Sequence, residues 1–306
     1  MLRQQQGRDA DGQRPERSFY CDGSMTAAKD QLRFSRVRVF KVSGGMMCNR
    51  FNIKTDLAHL ARSLDAAPPR QMEFEEDVFP GKPAPTIAVN RSGMIEILPM
   101  AFGLVPFGKS PESQRRPLTN ARVENLEKWP WKSAIKSHRC VVPMTGFREP
   151  CYWGETAGTE VDFSVPTDSP LFAVGIFTWY RDEQPNDSQE EAPANFTMSL
   201  IMRPALPTVM EHGHHRSPFF LSRGGIQHWI ERDSRPLQDS LTILKQHAFE
   251  PELSVTVARQ MAPTWTKRQS GNIAKRDEQL AAIEETGPLG IPESVDTEST
   301  NDSQQA

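Results

Sequence analysis

The sequence predicts an α+β domain built on a mostly antiparallel, barrel-like β-sheet with short flanking helices. Three observations lead there. Compact apolar runs at Arg139 to Pro143, Leu171 to Thr178 and Phe196 to Met202 read as buried strands. Two more strands, Thr86 to Val89 and Met94 to Met100, flank the turn Asn90-Arg91-Ser92-Gly93. Strands outnumber helices and do not alternate with them regularly, which disfavours a doubly wound parallel sheet.

The remaining elements follow in chain order. Residues 1–46 open on a Gln-, Arg- and Asp-rich stretch with too little apolar content for a core. They are expected to be a disordered leader or the product of a start assigned too early. Their last part, Val37 to Val42, alternates like a strand before running into Ser43-Gly44-Gly45. Leu57, Leu60, Ala61 and Leu64 recur at helical spacing between Asp56 and Leu64. Residues 183–195 collect Gln, Asn, Asp, Ser, Glu and Pro, and read as a surface loop between two strands. Gly224 to Ile230 and Leu237 to His247 are helical candidates, and Ser254 to Ala258 is a last strand. A single domain over 47–268 is expected, with 269–306 as a disordered polar tail.

Composition narrows the function. The chain has 306 residues, 37% of them hydrophobic, and a net charge of -3, so any contact with nucleic acid must come from a local patch. A mean hydropathy of -0.57 reflects the two polar ends. No stretch approaches the roughly 18 apolar residues of a membrane span, and the N-terminus has no apolar signal segment. Cys21, Cys48, Cys140 and Cys151 show neither a C-x-x-C pair nor metal-like spacing with the histidines. Neither a disulfide framework nor a metal site is expected, although His212, His214 and His215 lie close together. A protein of a reducing compartment fits, cytoplasmic at the nucleoid or nuclear, and not secreted.

Four stretches carry the chemistry: Met47-Cys48-Asn49-Arg50-Phe51; Thr119-Asn120-Ala121-Arg122-Val123-Glu124; Arg139-Cys140-Val141-Val142-Pro143 with Gly146-Phe147-Arg148-Glu149; and His214-His215-Arg216-Ser217-Pro218. In this order and spacing they resemble the SRAP family, the SOS-response-associated peptidases that process abasic sites. Phe102-Gly103-Leu104-Val105-Pro106, Ala173-Val174-Gly175-Ile176-Phe177 and Phe196-Thr197-Met198 with Arg203-Pro204-Ala205 extend the resemblance, which covers about 47 to 260.

The resemblance implies a covalent trap for abasic sites in single-stranded DNA, with Cys48 as the N-terminal residue. An α-amine has a pKa of about 7.7–8.0, so much of it is neutral and nucleophilic near pH 7. It forms a Schiff base with the sugar aldehyde, and the thiol on the same residue closes a thiazolidine. Cys48 is internal here, so this chemistry needs residues 1–47 gone. Initiation at Met47, followed by aminopeptidase removal of that Met, is the favoured route, because Gly44-Gly45 can be encoded by a ribosome-binding-type purine run. Self-cleavage after Met47 is the alternative and makes the chain a cysteine autopeptidase. A third reading is a single-strand-binding module without a reactive amine.

The resemblance assigns roles residue by residue. Asn120 holds the abasic sugar and Arg122 takes a phosphate, as an amide and a planar guanidinium suit those groups. Glu149 shuttles protons beside the cysteine, and His214 protonates the ring oxygen to open the sugar. Arg50, Arg122 and Arg216 are the DNA-binding candidates, with Lys109 and Arg148 weaker ones. Phe51, Trp131 and Trp153 are candidates to stack on bases, with core packing favoured for Phe51. Three positions depart from the family: Asn49 for a Gly, Lys82 for an Asn, and Pro150 for a Trp, with Trp153 available to fill the gap. No cofactor is expected. The expected partner is single-stranded DNA bearing abasic sites, met by a monomer.

Overall fold

Apolar runs long enough to be buried on both faces build a closed barrel. The computed structural model describes residues 50–182 and 194–292. Its elements run β1 (Arg50–Asn52), α1 (Leu57–Ser63), β2 (Asp77–Val78), β3 (Pro83–Val89), β4 (Ile95–Phe102) and β5 (Asn120–Arg122). Next come α2 (Lys132–Ser137), β6 (Arg139–Met144), β7 (Gly146–Pro150), β8 (Thr159–Ser164), β9 (Leu171–Tyr180) and β10 (Asn195–Pro204). The chain continues with α3 (Pro207–Glu211), β11 (Arg216–Pro218), β12 (Phe220–Leu221), α4 (Gly225–Ile230), α5 (Leu237–His247), β13 (Ser254–Gln260) and α6 (Thr266–Thr286).

Five strands close the barrel in the order β10–β4–β3–β6–β9, with β9 pairing back onto β10. Every contact in that ring is antiparallel except β4 with β10. A second, antiparallel sheet runs β13–β8–β7–β1–β2. The expected α+β class and barrel-like, mostly antiparallel sheet are therefore what the chain forms.

Strand period divides the side chains between two cores. Cys140, Val142 and Met144 of β6 point inward with Met198, Leu200 and Met202 of β10, and the second sheet adds Phe51, Phe147 and Phe163 to this interior. The alternate residues, among them Val141, Val174, Ile176 and Ile201, face outward under α2, α4 and α5 with Trp229 and Leu244. Gly175 is required where β6, β9 and β10 converge, since a Cβ there would lie 2.9 Å from Cys140 Sγ.

Arg139 fastens the helices to the barrel. Its side chain is fully buried, and it donates to the carbonyls of Trp229 at 2.8 Å, Ile135 at 3.0 Å and Glu231 at 2.5 Å, with Asp233 as its counter-ion. Removing the guanidinium strands these carbonyls without a donor. Arg139→Ala is expected to cost about 3–5 kcal/mol, read as a fall in the urea midpoint at unchanged slope.

The segment after 268 requires a correction. A tail is expected from 269, yet α6 runs to Thr286 and the described residues continue to 292. The helix is polar and buries little besides Gln279, so it carries a weak apolar stripe. Packing, not amphipathic pattern, holds it: Trp265 lies against Gly158, and Gln269 Nε2 donates to the Tyr152 carbonyl at 3.0 Å. The expected strand at Val37 to Val42 and the leader lie outside the described residues, as does most of the 183–195 loop. Asn195 itself opens β10.

Candidate functional site

The site forms where β7 and β10 end and β11 begins, beside the first residue of β1. β1 pairs antiparallel with β7, Arg50 opposite Arg148, so the direction N-terminal to Arg50 runs toward Glu149. Cys48 and Asn49 lie outside the described residues. Glu149 ends up buried, and removal from water alone pushes its carboxyl well above the usual carboxylate range.

His214 is brought to it by a tight turn. After α3, Gly213 adopts φ +101°, and a Cβ there would overlap the carbonyl oxygen of Trp153. Three bonds stitch the chain after β7 to this turn: Trp153 Nε1 to the Met210 carbonyl at 2.8 Å, Thr156 Oγ1 to the His212 carbonyl at 2.6 Å, and the Tyr152 amide to the Gly213 carbonyl at 2.8 Å. Gly213→Ala combines a left-handed φ with a backbone overlap. It is expected to cost about 2–3 kcal/mol and to displace His214, seen as a lower Tm.

The Glu149 and His214 side chains face each other. His214 Nε2 stands 3.5 Å from Glu149 Oε2, and Nδ1 stands 2.9 Å from the Arg216 carbonyl. Donation from Nδ1 to that carbonyl leaves the Nε2 lone pair facing the carboxyl. Burial pushes the imidazole down to about 4, so it is neutral at neutral pH, and the same cause raises the Glu149 carboxyl and favours its protonated form. Burial thus disfavours the charged form of both groups.

The other two histidines do not compete. His215, held down to about 2 by burial, lies beside His214 with ring centroids 4.9 Å apart, and His212 Nδ1 contacts the Thr208 carbonyl at 2.8 Å. Among the described residues no group of three His, Cys, Asp or Glu could hold a metal ion. Cys140 and Cys151 are buried and unpaired, and burial raises both thiols, Cys151 up to about 12, so neither is a ready nucleophile.

The predicted DNA contacts separate on inspection. Asn120 and Arg122 lie on β5, which pairs in parallel with β10, Arg122 level with Met202. On the opposite edge of β10, Pro204 pairs with Arg216. Arg122 is exposed and has no ion-pair partner among the described residues. Arg216 instead binds Glu124 in a two-pronged ion pair, at 3.0 and 2.5 Å. Burial alone would raise Glu124, but the bonds and charge of Arg216 hold it low. Arg216 thus ties the Asn120–Arg122 segment to the histidine turn.

Arg50 is paired with Asp77 and stacked over Phe79, and Arg148 is held by Asp162 at 2.6 Å. Lys109 is exposed. Two stacking candidates fail: Phe51 is in the interior core against Phe102, and Trp131 is buried in the outer one. Trp153 carries the Arg276 guanidinium on its ring, 5.4 Å from the centroid, so it serves packing beside the pocket. Sequence reasoning missed α6 altogether. The charge of Lys275 on that helix disfavours protonation of both His214 and His215, and only the sparse apolar spacing of Ile273, Leu280 and Ile283 could have signalled the helix.

Solved structures share the fold. One is a protein from Bordetella bronchiseptica, with TM-score 0.55, 18% identity, and coverage of 69% of this chain and all of the other. A phage-related protein from the same organism gives 0.52 at 20% identity, covering 70% of this chain and 95% of its own. A protein from Bacteroides thetaiotaomicron gives 0.55 at 20% identity, covering 75% and 99%. Among curated proteins none matches. No helix among the described residues is long and apolar enough to cross a membrane. The family model for "SOS response associated peptidase (SRAP)" matches residues 47–281, more than half of the sequence and all four motif stretches, and the chain belongs to that family.

Proposed function

We propose that this chain captures abasic sites in single-stranded DNA through Cys48, exposed as the N-terminal residue by loss of residues 1–47. The neutral α-amine adds to the C1′ aldehyde and releases one water to give an imine. The Cys48 thiol then adds to the imine carbon, its proton passes to the nitrogen, and a thiazolidine results.

The observation that carries this reading is the buried Glu149–His214 pair, 3.5 Å apart, toward which the upstream direction of β1 runs. Glu149, raised by burial, donates to the departing oxygen, while His214, expected to protonate the ring oxygen, is lowered to about 4 and instead accepts through Nε2 from an attacking group. Asn120 positions the sugar and Arg122, exposed at the end of β5, takes a phosphate. Arg216, paired with Glu124, orders this segment.

The test is a denaturing gel. A chain begun at Met47 is incubated with a strand bearing one abasic site, beside its Cys48→Ala variant. A band resistant to denaturant with the first and not the second supports the reading. Equal bands, or none with either, refute it. Self-cleavage is tested separately: a chain forced to start at Met1 that loses its leader, while its Glu149→Ala variant keeps it, identifies an autopeptidase step.

A further inference from the structure

The barrel has a second opening, remote from the Glu149–His214 pair. It lies where β3 ends and β4 begins, at His138 before β6, at the end of β9 and the start of β10. The histidine turn meets β10 at its other end, where Pro204 pairs with Arg216. From Phe196 to Pro204 the strand takes eight steps, about 26 Å at roughly 3.3 Å per residue. The two places are distinct.

A cavity of about 530 Å³ fills this mouth, within the range of small-molecule sites. Its floor is the barrel interior, Ala88, Leu98 and Met100. Its wall is aromatic: Phe177, Trp179 and Phe196, with Phe177 edge-on to both Phe196 and His138. The rim is cationic. Four arginines line it (Arg70, Arg91, Arg181 and Arg232) against the single carboxylate of Glu96.

Glu96 is already engaged, by Arg70 at 2.8 Å and by Asn90 Nδ2 at 2.5 Å. Arg91 and Arg232 have no ion-pair partner among the described residues. Burial, and then the charge of Arg232, lower His138, so the imidazole adds no positive charge at neutral pH and offers a neutral hydrogen-bonding edge. An aromatic wall suits a planar ring, and unpaired guanidinium groups suit a phosphate. A simple anion would leave the wall unused, and an acyl chain would leave two cations unmatched.

We propose that the barrel mouth is a second binding site, which takes a nucleoside phosphate with its base against Phe177, Trp179 and Phe196 and its phosphate at Arg91 and Arg232. The same chemistry is offered by a free nucleotide and by one unit of a DNA strand. The assignment does not depend on the covalent chemistry of Cys48.

Calorimetric titration of the full chain tests it, with deoxyadenosine monophosphate in one arm and an intact single-stranded oligonucleotide in the other. The comparison protein carries Arg91→Ala and Arg232→Ala, both exposed positions whose change leaves the cores intact. A tenfold or greater loss of affinity in the double variant supports the site. Loss in the first arm identifies a free nucleotide, and loss in the second alone identifies the strand. Deoxyadenosine and inorganic phosphate, each titrated separately, are expected to bind at least tenfold more weakly than the nucleotide. No binding in either arm, binding indifferent to the two arginines, or phosphate binding as tightly as the nucleotide overturns the proposal.

Discussion

Glu149→Gln is expected to slow DNA capture about a hundredfold and, at the same time, to make the protein more stable at alkaline pH. The two effects have one cause. The carboxyl is buried with His214 as its near neighbour, so its charged form is disfavoured in the folded chain and its proton is retained to a pH well above the ordinary carboxylate value. An amide keeps the shape but cannot give that proton away, which removes a general-acid contribution of about 10²-fold.

The sign of the stability effect follows from linkage. A folded pKa raised above the unfolded one contributes stability that is fully present below the unfolded value, near 4.5, and is lost as pH rises through the folded value. The glutamine does not titrate, so the variant escapes that loss. Tm measured from pH 4 to pH 9 should show the two proteins diverging upward in pH, the variant higher. His214 acts oppositely. Its folded pKa of about 4 lies below the ordinary 6.5, so its contribution is present above 6.5 and lost as pH falls toward 4. Capture should likewise fall on the acid side as Nε2 takes up a proton. A flat Tm difference across this range would remove the basis for assigning the proton to Glu149.

Cys48→Ala is the second large effect. The imine that its amine alone forms is hydrolysed readily, whereas the sulfur closes a ring. Loss of the thiol is therefore expected to abolish the denaturant-resistant adduct, a drop of at least about 10³-fold by the size of effect nucleophile removal produces. Cys140 and Cys151 give no substitute, because both are buried thiols. Retention of the adduct in the alanine variant would move the chemistry to another group.

Much of this was legible in the chain. The barrel strands β3, β4, β6, β9 and β10 are apolar on both faces and announce themselves as runs, and α5 was read with the bounds it has. The short strands β1, β5 and β11 were not read as strands, because three residues carry no period; tertiary pairing makes them. β8, Thr-Glu-Val-Asp-Phe-Ser, alternates plainly yet went unread among polar residues. α6 is illegible because its composition is that of a solvated segment, and what fixes it, Trp265 and Gln269 against residues near 152–158, is long-range.

The site shows the same division. Residue types gave Glu149 and His214, and the fold brings them together. Spacing could not reveal that Arg216 is already bound by Glu124, or that Phe51 and Trp131 face inward, since partners and burial are properties of the folded chain. The family motif named the arginines; only geometry separates exposed Arg122 from paired Arg50, Arg148 and Arg216.

One comparison bears most directly on the central claim. Two chains are prepared that differ only in whether Met47 is retained ahead of Cys48, and each is incubated with abasic single-stranded DNA. Intact mass is then read under denaturing conditions. The account predicts an adduct short of one water, resistant to borohydride, for the chain with a free Cys48 amine, and none for the chain that keeps Met47. Equal yields from both would show that the amine takes no part.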